Sequence, residues 1–381
     1  MLFMEINDDT MEPHTETSPR ADDFVECKAD DFVACTHPEG GGHMRLIDRY
    51  GREITSLRFS LTRKCNLNCI YCHHEGEFDD NEECHHKDDE SGISADLVVR
   101  VAKVASQRFS VRKVKFSGGE PLLRRDLPDI IQHIRAYEDD ISLTTNGTLL
   151  SICAEELADA GLDRVNISID TLNAEKYDII TRTKGNLSRV IDGIHAAISS
   201  NLTPVKLNMV VLDLNKDDID EMMDFVRGLN AEYGDDSVIL QLIELVPFHV
   251  AESNSNDAAG LCNKSASGVS NVDFREIEEM LQLNAKAMAT RPLQHRRKYF
   301  IDGLTVEVVK PMDNSAFCMH CKRLRITSDG KIKPCLLRND NLVPLCEDED
   351  CIAERLIYAM KLREPFYCEK NESPPGLSRP R

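Results

Sequence analysis

From residue 54 the chain alternates short runs of β-type patterning with longer stretches whose apolar positions recur at helical spacing. Ile54–Leu61 reads as a strand. Ala95–Arg108 then sets Leu97, Val98, Val101, Val104 and Ala105 on one helical face, with Ser94 as the N-cap. Val111–Phe116 predicts the next strand and Leu127–Tyr137 the next helix; strands at 140–145, 164–169, 204–211 and 237–245 continue the series, each after a helix. Six such units imply a parallel sheet covered by helices. No Rossmann glycine fingerprint follows the first strand, so the expected fold is α/β, a partial (βα)6 TIM-type barrel, short of the eight units that close one.

The regular pattern stops at Glu252–Asn271, a stretch rich in Asn, Ser, Ala and Gly. Beyond it a helix is expected over 272–289 and short strands at Thr305–Val309 and Arg323–Thr327, the latter turning at Asp329-Gly330 into Lys331–Pro334. The expected division is a disordered acidic tail (1–44), a barrel (45–250) with an acidic insertion (76–92), a small cysteine-bearing C-terminal unit packed on the barrel (251–370) and a frayed end (371–381).

Composition sharpens this. With 381 residues, 41% apolar and 29% charged, the chain can bury a large core. Its net charge is −20, but residues 1–44 carry −9 and residues 75–90 carry −8, leaving the remainder nearly balanced at −3. Phosphate-driven nucleic-acid binding is therefore not expected. No apolar run approaches the length of a membrane span, and the first residues are acidic rather than a basic leader, so a cytoplasmic chain with no membrane contact is expected. Fourteen cysteines at short spacings then read as reduced and metal-binding. Cys27 and Cys35 fall in the tail repeat ADDFVEC/ADDFVAC, and Cys84, His85 and His86 in the insertion; both segments read as solvated, their metal binding left open.

The chemistry concentrates in two places. Directly after the first strand, Cys65, Cys69 and Cys72 form a C-x3-C-x2-C run. Three soft thiolates suit iron or zinc; a cluster held by three cysteines leaves one iron open, whereas zinc would need a fourth ligand such as His73 or His74. Downstream, Cys318 and Cys321 are followed after thirteen residues by Cys335, with Arg323 and Arg325 alternating along the intervening strand. A zinc ribbon closed by Cys346 or Cys351 is the plainer alternative.

The first spacing, with Tyr71 before its third cysteine, resembles the radical S-adenosylmethionine (SAM) superfamily, as does Ser117-Gly118-Gly119-Glu120-Pro121 at the end of the second strand. The second pattern, C-x2-C-x-R-x-R followed by a third cysteine, is similar to the GTP 3′,8-cyclases of molybdenum-cofactor biosynthesis (the MoaA family), over about Met44–Leu362. The resemblance implies two [4Fe-4S] clusters, with SAM on the first and GTP against the second. The radical it implies takes hydrogen from ribose C3′ before ring closure at guanine C8. It places Tyr71, Gly118, Gly119, Glu120, Ser168 and Val246 on SAM, and Arg58, Lys115, Thr144, Lys206, Arg323, Leu324 and Arg325 on GTP. Gly118 and Gly119 would let backbone approach the SAM amino group. Arg58 and Lys206, at inward-pointing strand positions, would be costly without an anionic partner. It further implies a ferredoxin- or flavodoxin-type electron donor and cyclic pyranopterin monophosphate synthase downstream; a homodimer is compatible with it. Lys115 replaces an arginine of bacterial members, Val246 a frequent methionine, and Ser378-Arg379-Pro380-Arg381 shows no double-glycine tail. A radical SAM maturase of a peptide or other small molecule is the rival enzyme, separable by GTP binding. A zinc scaffold is the rival outside catalysis, separable by metal content.

Overall fold

The computed structural model describes residues 44–77, 92–246 and 272–367. The expectations for the acidic tail, most of the insertion, the Asn/Ser-rich stretch and the C-terminal end, with Cys27, Cys35, Cys84, His85 and His86, lie outside these residues. The barrel units follow the hydrophobic pattern closely: β1 (Ser56–Ser60), α1 (Ala95–Phe109), β2 (Lys113–Ser117), α2 (Leu127–Ile134), β3 (Asp140–Thr145), α3 (Ala154–Asp159) and β4 (Arg164–Ser168). Then come α4 (Ala174–Thr181), α5 (Leu187–Ser199), β5 (Val205–Val211), α6 (Ile219–Tyr233) and β6 (Val238–Glu244). Ser94 caps α1 as expected, its hydroxyl accepting from the Leu97 amide at 3.2 Å.

The C-terminal region contributes α7 (Phe274–Asn284), β7 (Ala287–Thr290), β8 (Arg297–Ile301), β9 (Leu304–Val309), α8 (Ser315–Met319), β10 (Arg323–Ile326), β11 (Lys331–Lys333), β12 (Val343–Pro344) and α9 (Glu349–Lys361). It does not build a sheet of its own. Its strands extend the barrel sheet at both edges, in the order β12-β11-β10-β1-β2-β3-β4-β5-β6-β9-β8-β7. β10 and β9 run parallel to β1 and β6, so eight consecutive strands are parallel, with antiparallel strands outside them. The helix expected over 272–289 ends at Asn284. Residues 287–290 are instead β7, because pairing with β8 overrides the helical propensity of Ala and Met.

Period-two alternation sorts the sheet into two faces. Leu57, Phe59, Val114, Phe116, Ile141, Leu143, Val165, Ile167, Leu207, Leu240, Val306 and Leu324 are buried in one continuous apolar core. The intervening residues form the polar face. Among the described residues no helix is long and apolar enough to cross a membrane.

Candidate functional site

The first cysteine loop is tied to the ends of β2, β3 and β4. Cys65 Sγ accepts from the Leu67 amide at 3.4 Å, and Asn146 Nδ2 stands 3.9 Å from it. Asn146 also donates to Asn66 Oδ1 at 2.7 Å, and Tyr71 donates its hydroxyl to Asp170 at 2.6 Å. Burial pushes the Asp170 carboxyl up to about 6 despite this bond. Gly119 and Glu120 donate their amides to the Thr62 and Lys64 carbonyls at 2.6 and 2.7 Å. A Cβ on Gly118 would lie 2.5 Å from the Thr62 carbonyl oxygen, and one on Gly119 would lie 2.2 Å from that of Lys64. Both glycines therefore let the turn after β2 approach the segment that leads into the cysteine loop. Glu120 is fully buried, accepting from Thr145 Oγ1 at 2.7 Å and from the Asn146 and Leu122 amides at 2.8 and 3.0 Å. Its carboxylate, raised by burial to about 7, joins the turn after β2 to the turn after β3. Ser168 ends β4 and Val246 follows β6, both half-buried.

The second set lies at the other end of the strands. Cys321 precedes the start of β10, whereas Cys65 follows the end of the parallel neighbour β1. Five residues of β1 at about 3.3 Å each, with the flanking residues, separate the two sets by roughly 15–20 Å. Arg52 and Arg363, both buried, donate to the Cys318 and Cys321 carbonyls and share Asp48. Burial raises the thiols of Cys318 and Cys335, while at Cys321 the positive charges of Arg363, Arg323 and Arg325 outweigh burial and lower it. In the first set burial raises all three, Cys65 to about 11. Cys346 and Cys351, the suggested zinc-ribbon ligands, are joined in a disulfide, against the expectation of reduced cysteines throughout. The turn capped by Asp348 brings their Cα atoms to 6.2 Å, within bridging range.

No three of the described His, Cys, Asp or Glu side chains converge on a single ion position, so the fit to a metal group rests on donor chemistry. All six cysteines are unbridged, and within each set thiols act on one another electrostatically. Crowded thiols whose charge water does not support gain from a positive iron–sulfur group, and three donors leave one position open.

Between the two sets the polar face is strongly cationic. Arg58 on β1 neighbours Lys115 on β2 and Arg325 on β10, and Lys206 neighbours Asn166. Thr144 is half-buried on the same face, beside Asn166. Burial pushes the Lys115 ammonium well below the lysine range, helped by Arg323, Arg58, Lys206 and Arg164. The Leu324 side chain is fully buried in the core on the opposite face, which leaves its backbone for the site. Arg58 and Lys206 have the anionic partners that their burial calls for within the chain itself. Glu75 lies 2.6 Å from Arg58 and 2.9 Å from Arg325. Burial opposes its charge, but Arg58, Arg325 and His73 outweigh it and hold the carboxyl at about 2. Glu307, fully buried, lies 2.6 Å from Lys206, 2.9 Å from Arg296 and 3.1 Å from Arg291. Sequence reasoning missed Glu75, Glu307, Arg291, Arg296, Asn66 and Asn146; of these Asn66 lies inside the first cysteine motif, Asn146 two residues after Thr144 and Glu75 three residues after Cys72.

Residues 59–226 match the family model described as the Radical SAM superfamily and residues 238–365 the one described as Molybdenum Cofactor Synthesis C. Sheet, cysteine loop and these matches together define a radical SAM enzyme, which uses SAM and an iron–sulfur cluster. A protein of Methanocella arvoryzae described as "Probable GTP 3',8-cyclase" is 46% identical over 324 residues, covering 84% of this chain and 94% of the relative. One of Archaeoglobus fulgidus with the same description is 45% identical over 323 residues, covering 84% and 99%. The chain belongs to the GTP 3′,8-cyclase family. Among solved structures, Streptococcus suis SuiB bound to S-adenosylmethionine is similar at 16% identity and a TM-score of 0.49, covering 75% of this chain and 60% of that one.

Proposed function

We propose that the cationic face holds GTP, which the enzyme converts to (8S)-3′,8-cyclo-7,8-dihydroguanosine 5′-triphosphate, the opening step of molybdenum-cofactor biosynthesis. One observation carries this: Arg58, Lys115, Lys206, Arg323 and Arg325 gather on one polar face between two three-cysteine sets. A triphosphate is the ligand that offsets such crowding, and guanidinium forks suit its oxygens. Thr144 adds a hydroxyl on the same face, and Leu324 a backbone contact.

Cys65, Cys69 and Cys72 would hold one [4Fe-4S] cluster and Cys318, Cys321 and Cys335 a second. Tyr71, Gly118, Gly119, Ser168 and Val246 would line SAM, with Glu120 bracing the turn. When bound, the cluster and SAM supply a 5′-deoxyadenosyl radical, the hydrogen-abstracting chemistry. The chain's own part is to fix the nucleotide, its triphosphate included, through Arg58, Lys115, Lys206, Arg323 and Arg325, and to exclude water. A ferredoxin- or flavodoxin-type donor, cyclic pyranopterin monophosphate synthase as consumer of the product, and a cytoplasmic location complete the proposal.

Anaerobic reconstitution should load about eight irons per chain. With GTP, SAM and reductant the cyclised nucleotide should form. Arg323→Ala and Arg325→Ala should keep their iron and still release 5′-deoxyadenosine, while cyclic product falls roughly ten- to hundredfold for loss of a charged hydrogen bond. Undiminished cyclic product in the double variant would remove the reason for placing GTP on this face.

A further inference from the structure

We propose that Glu75 is an internal stand-in for phosphate, keeping the Arg58 and Arg325 forks occupied until nucleotide displaces it. This rests on the assignment of GTP to the cationic face and goes beyond it, because it concerns the state before substrate arrives. Arg58 and Arg325 sit opposite each other in the β1–β10 register. One carboxylate spans both: Oε1 accepts from Arg58 Nη2 at 2.6 Å and Oε2 from Arg325 Nη1 at 2.9 Å. Arg58 Nε is occupied as well, donating to Ser117 Oγ at 2.9 Å. Two guanidinium forks on one small anion is the arrangement by which proteins hold phosphate, here filled by a side chain.

The carboxylate is delivered by a strained segment. His74, Glu75 and Gly76 are consecutive left-handed residues with φ of 44°, 55° and 73°, and the first two carry side chains that disfavour this region. Gly76 is pinned where only glycine fits: a Cβ there would stand 2.5 Å from the Leu336 carbonyl oxygen, and Lys333 Nζ donates to the Gly76 carbonyl at 3.0 Å. Glu75 shares one small cavity with Arg58, Arg325 and Lys333, so its carboxylate occupies the space in front of the forks. A nucleotide phosphate and the Glu75 carboxylate cannot share the forks without repulsion, so one replaces the other. The backbone strain at His74 and Glu75 favours release once phosphate has taken over the arginines. The apparent GTP affinity is then the intrinsic affinity reduced by the fraction of molecules with Glu75 withdrawn.

The test is GTP titration calorimetry on reconstituted holoenzyme, anaerobic and without reductant. Glu75→Gln keeps the shape and removes the competing charge; it should bind GTP about tenfold more tightly than the parent at equal iron content. Unchanged or weaker binding would overturn the inference and make Glu75 a support that orients the arginines. Arg325→Ala separates the two levels: weaker binding there upholds the nucleotide assignment whatever Glu75→Gln does, whereas unchanged binding sinks that assignment and the inference with it. Hydrogen exchange on the unmutated holoenzyme tests the same point without a variant. GTP should deprotect the amides of residues 73–77; retained or increased protection overturns the displacement.

Discussion

Lys115 lies between Arg58 and Ser142 in the sheet register, and burial together with Arg323, Arg58, Lys206 and Arg164 disfavours its charge. A base whose folded-state pKa is depressed lowers stability wherever the unfolded chain keeps it protonated. The penalty is therefore present at neutral pH and fades as pH rises toward about 10. Lys115→Met should raise the urea midpoint of the unliganded protein at pH 7, with the gain shrinking in alkaline buffer. The same variant should weaken GTP binding roughly ten- to hundredfold through loss of a charged contact. Denaturation and calorimetry read the two effects separately, and a destabilised variant would show that Lys115 has an anionic partner within the chain. Such a residue is legible from its strand position and motif neighbourhood. Glu75 is not, because its partners lie 17 and 250 residues away. Asn146 meets Cys65 across 81 residues, a contact that only the fold supplies.

At the scale of elements, the turn after β2 is fixed by two glycines packed against the cysteine loop. Gly119→Ala would drive a Cβ to 2.2 Å from the Lys64 carbonyl oxygen and 2.6 Å from that of Arg63, and backbone cannot yield as a flexible side chain can. The expected result is loss of about half the reconstituted iron, confined to the first cysteine set, and loss of SAM cleavage. Iron assay with electron paramagnetic resonance checks it; a full complement of iron with normal cleavage would refute it. The motif was legible in the sequence, but its reason was not, since the contact runs to carbonyls whose position only the fold supplies. Strand alternation was equally legible: Arg58, Lys115 and Lys206 share one face and Leu57, Val114 and Leu207 the other. β7 and β8 were not, being short, mixed in composition and defined by pairing with each other and, for β8, with β9 rather than by their own pattern. The sheet extensions escaped for the same reason, because periodicity reports a strand and not its neighbour.

Across the whole molecule, the two ends of the described chain meet beneath the second cysteine set. Asp48 accepts from Arg52 Nε at 2.7 Å and from Arg363 Nη1 at 2.6 Å, and the same two guanidinium groups reach the Cys318 and Cys321 carbonyls. The Asp48 and Arg363 side chains are 0% and 1% exposed. Breaking such a pair leaves a charge out of water with too few partners, at a cost of ~3–5 kcal/mol. Arg363→Met should therefore lower the denaturation midpoint sharply and release iron from the second set first, since the Cys321 carbonyl loses its donor and its thiol loses a cation that favours the thiolate. SAM cleavage at the first set, at the far end of the strands, should persist. Arg112 and Asp139 make a comparable pair at 2.8 Å, but with side chains 48% and 62% exposed. Arg112→Ala should change stability by less than about 1 kcal/mol and leave iron at both sets intact. The two variants remove the same charge from pairs of similar length, so the difference between them isolates burial and the link to the cysteine loop. Equal effects would mean that the Asp48 junction holds the chain ends together without supporting the cluster proposed for the second cysteine set.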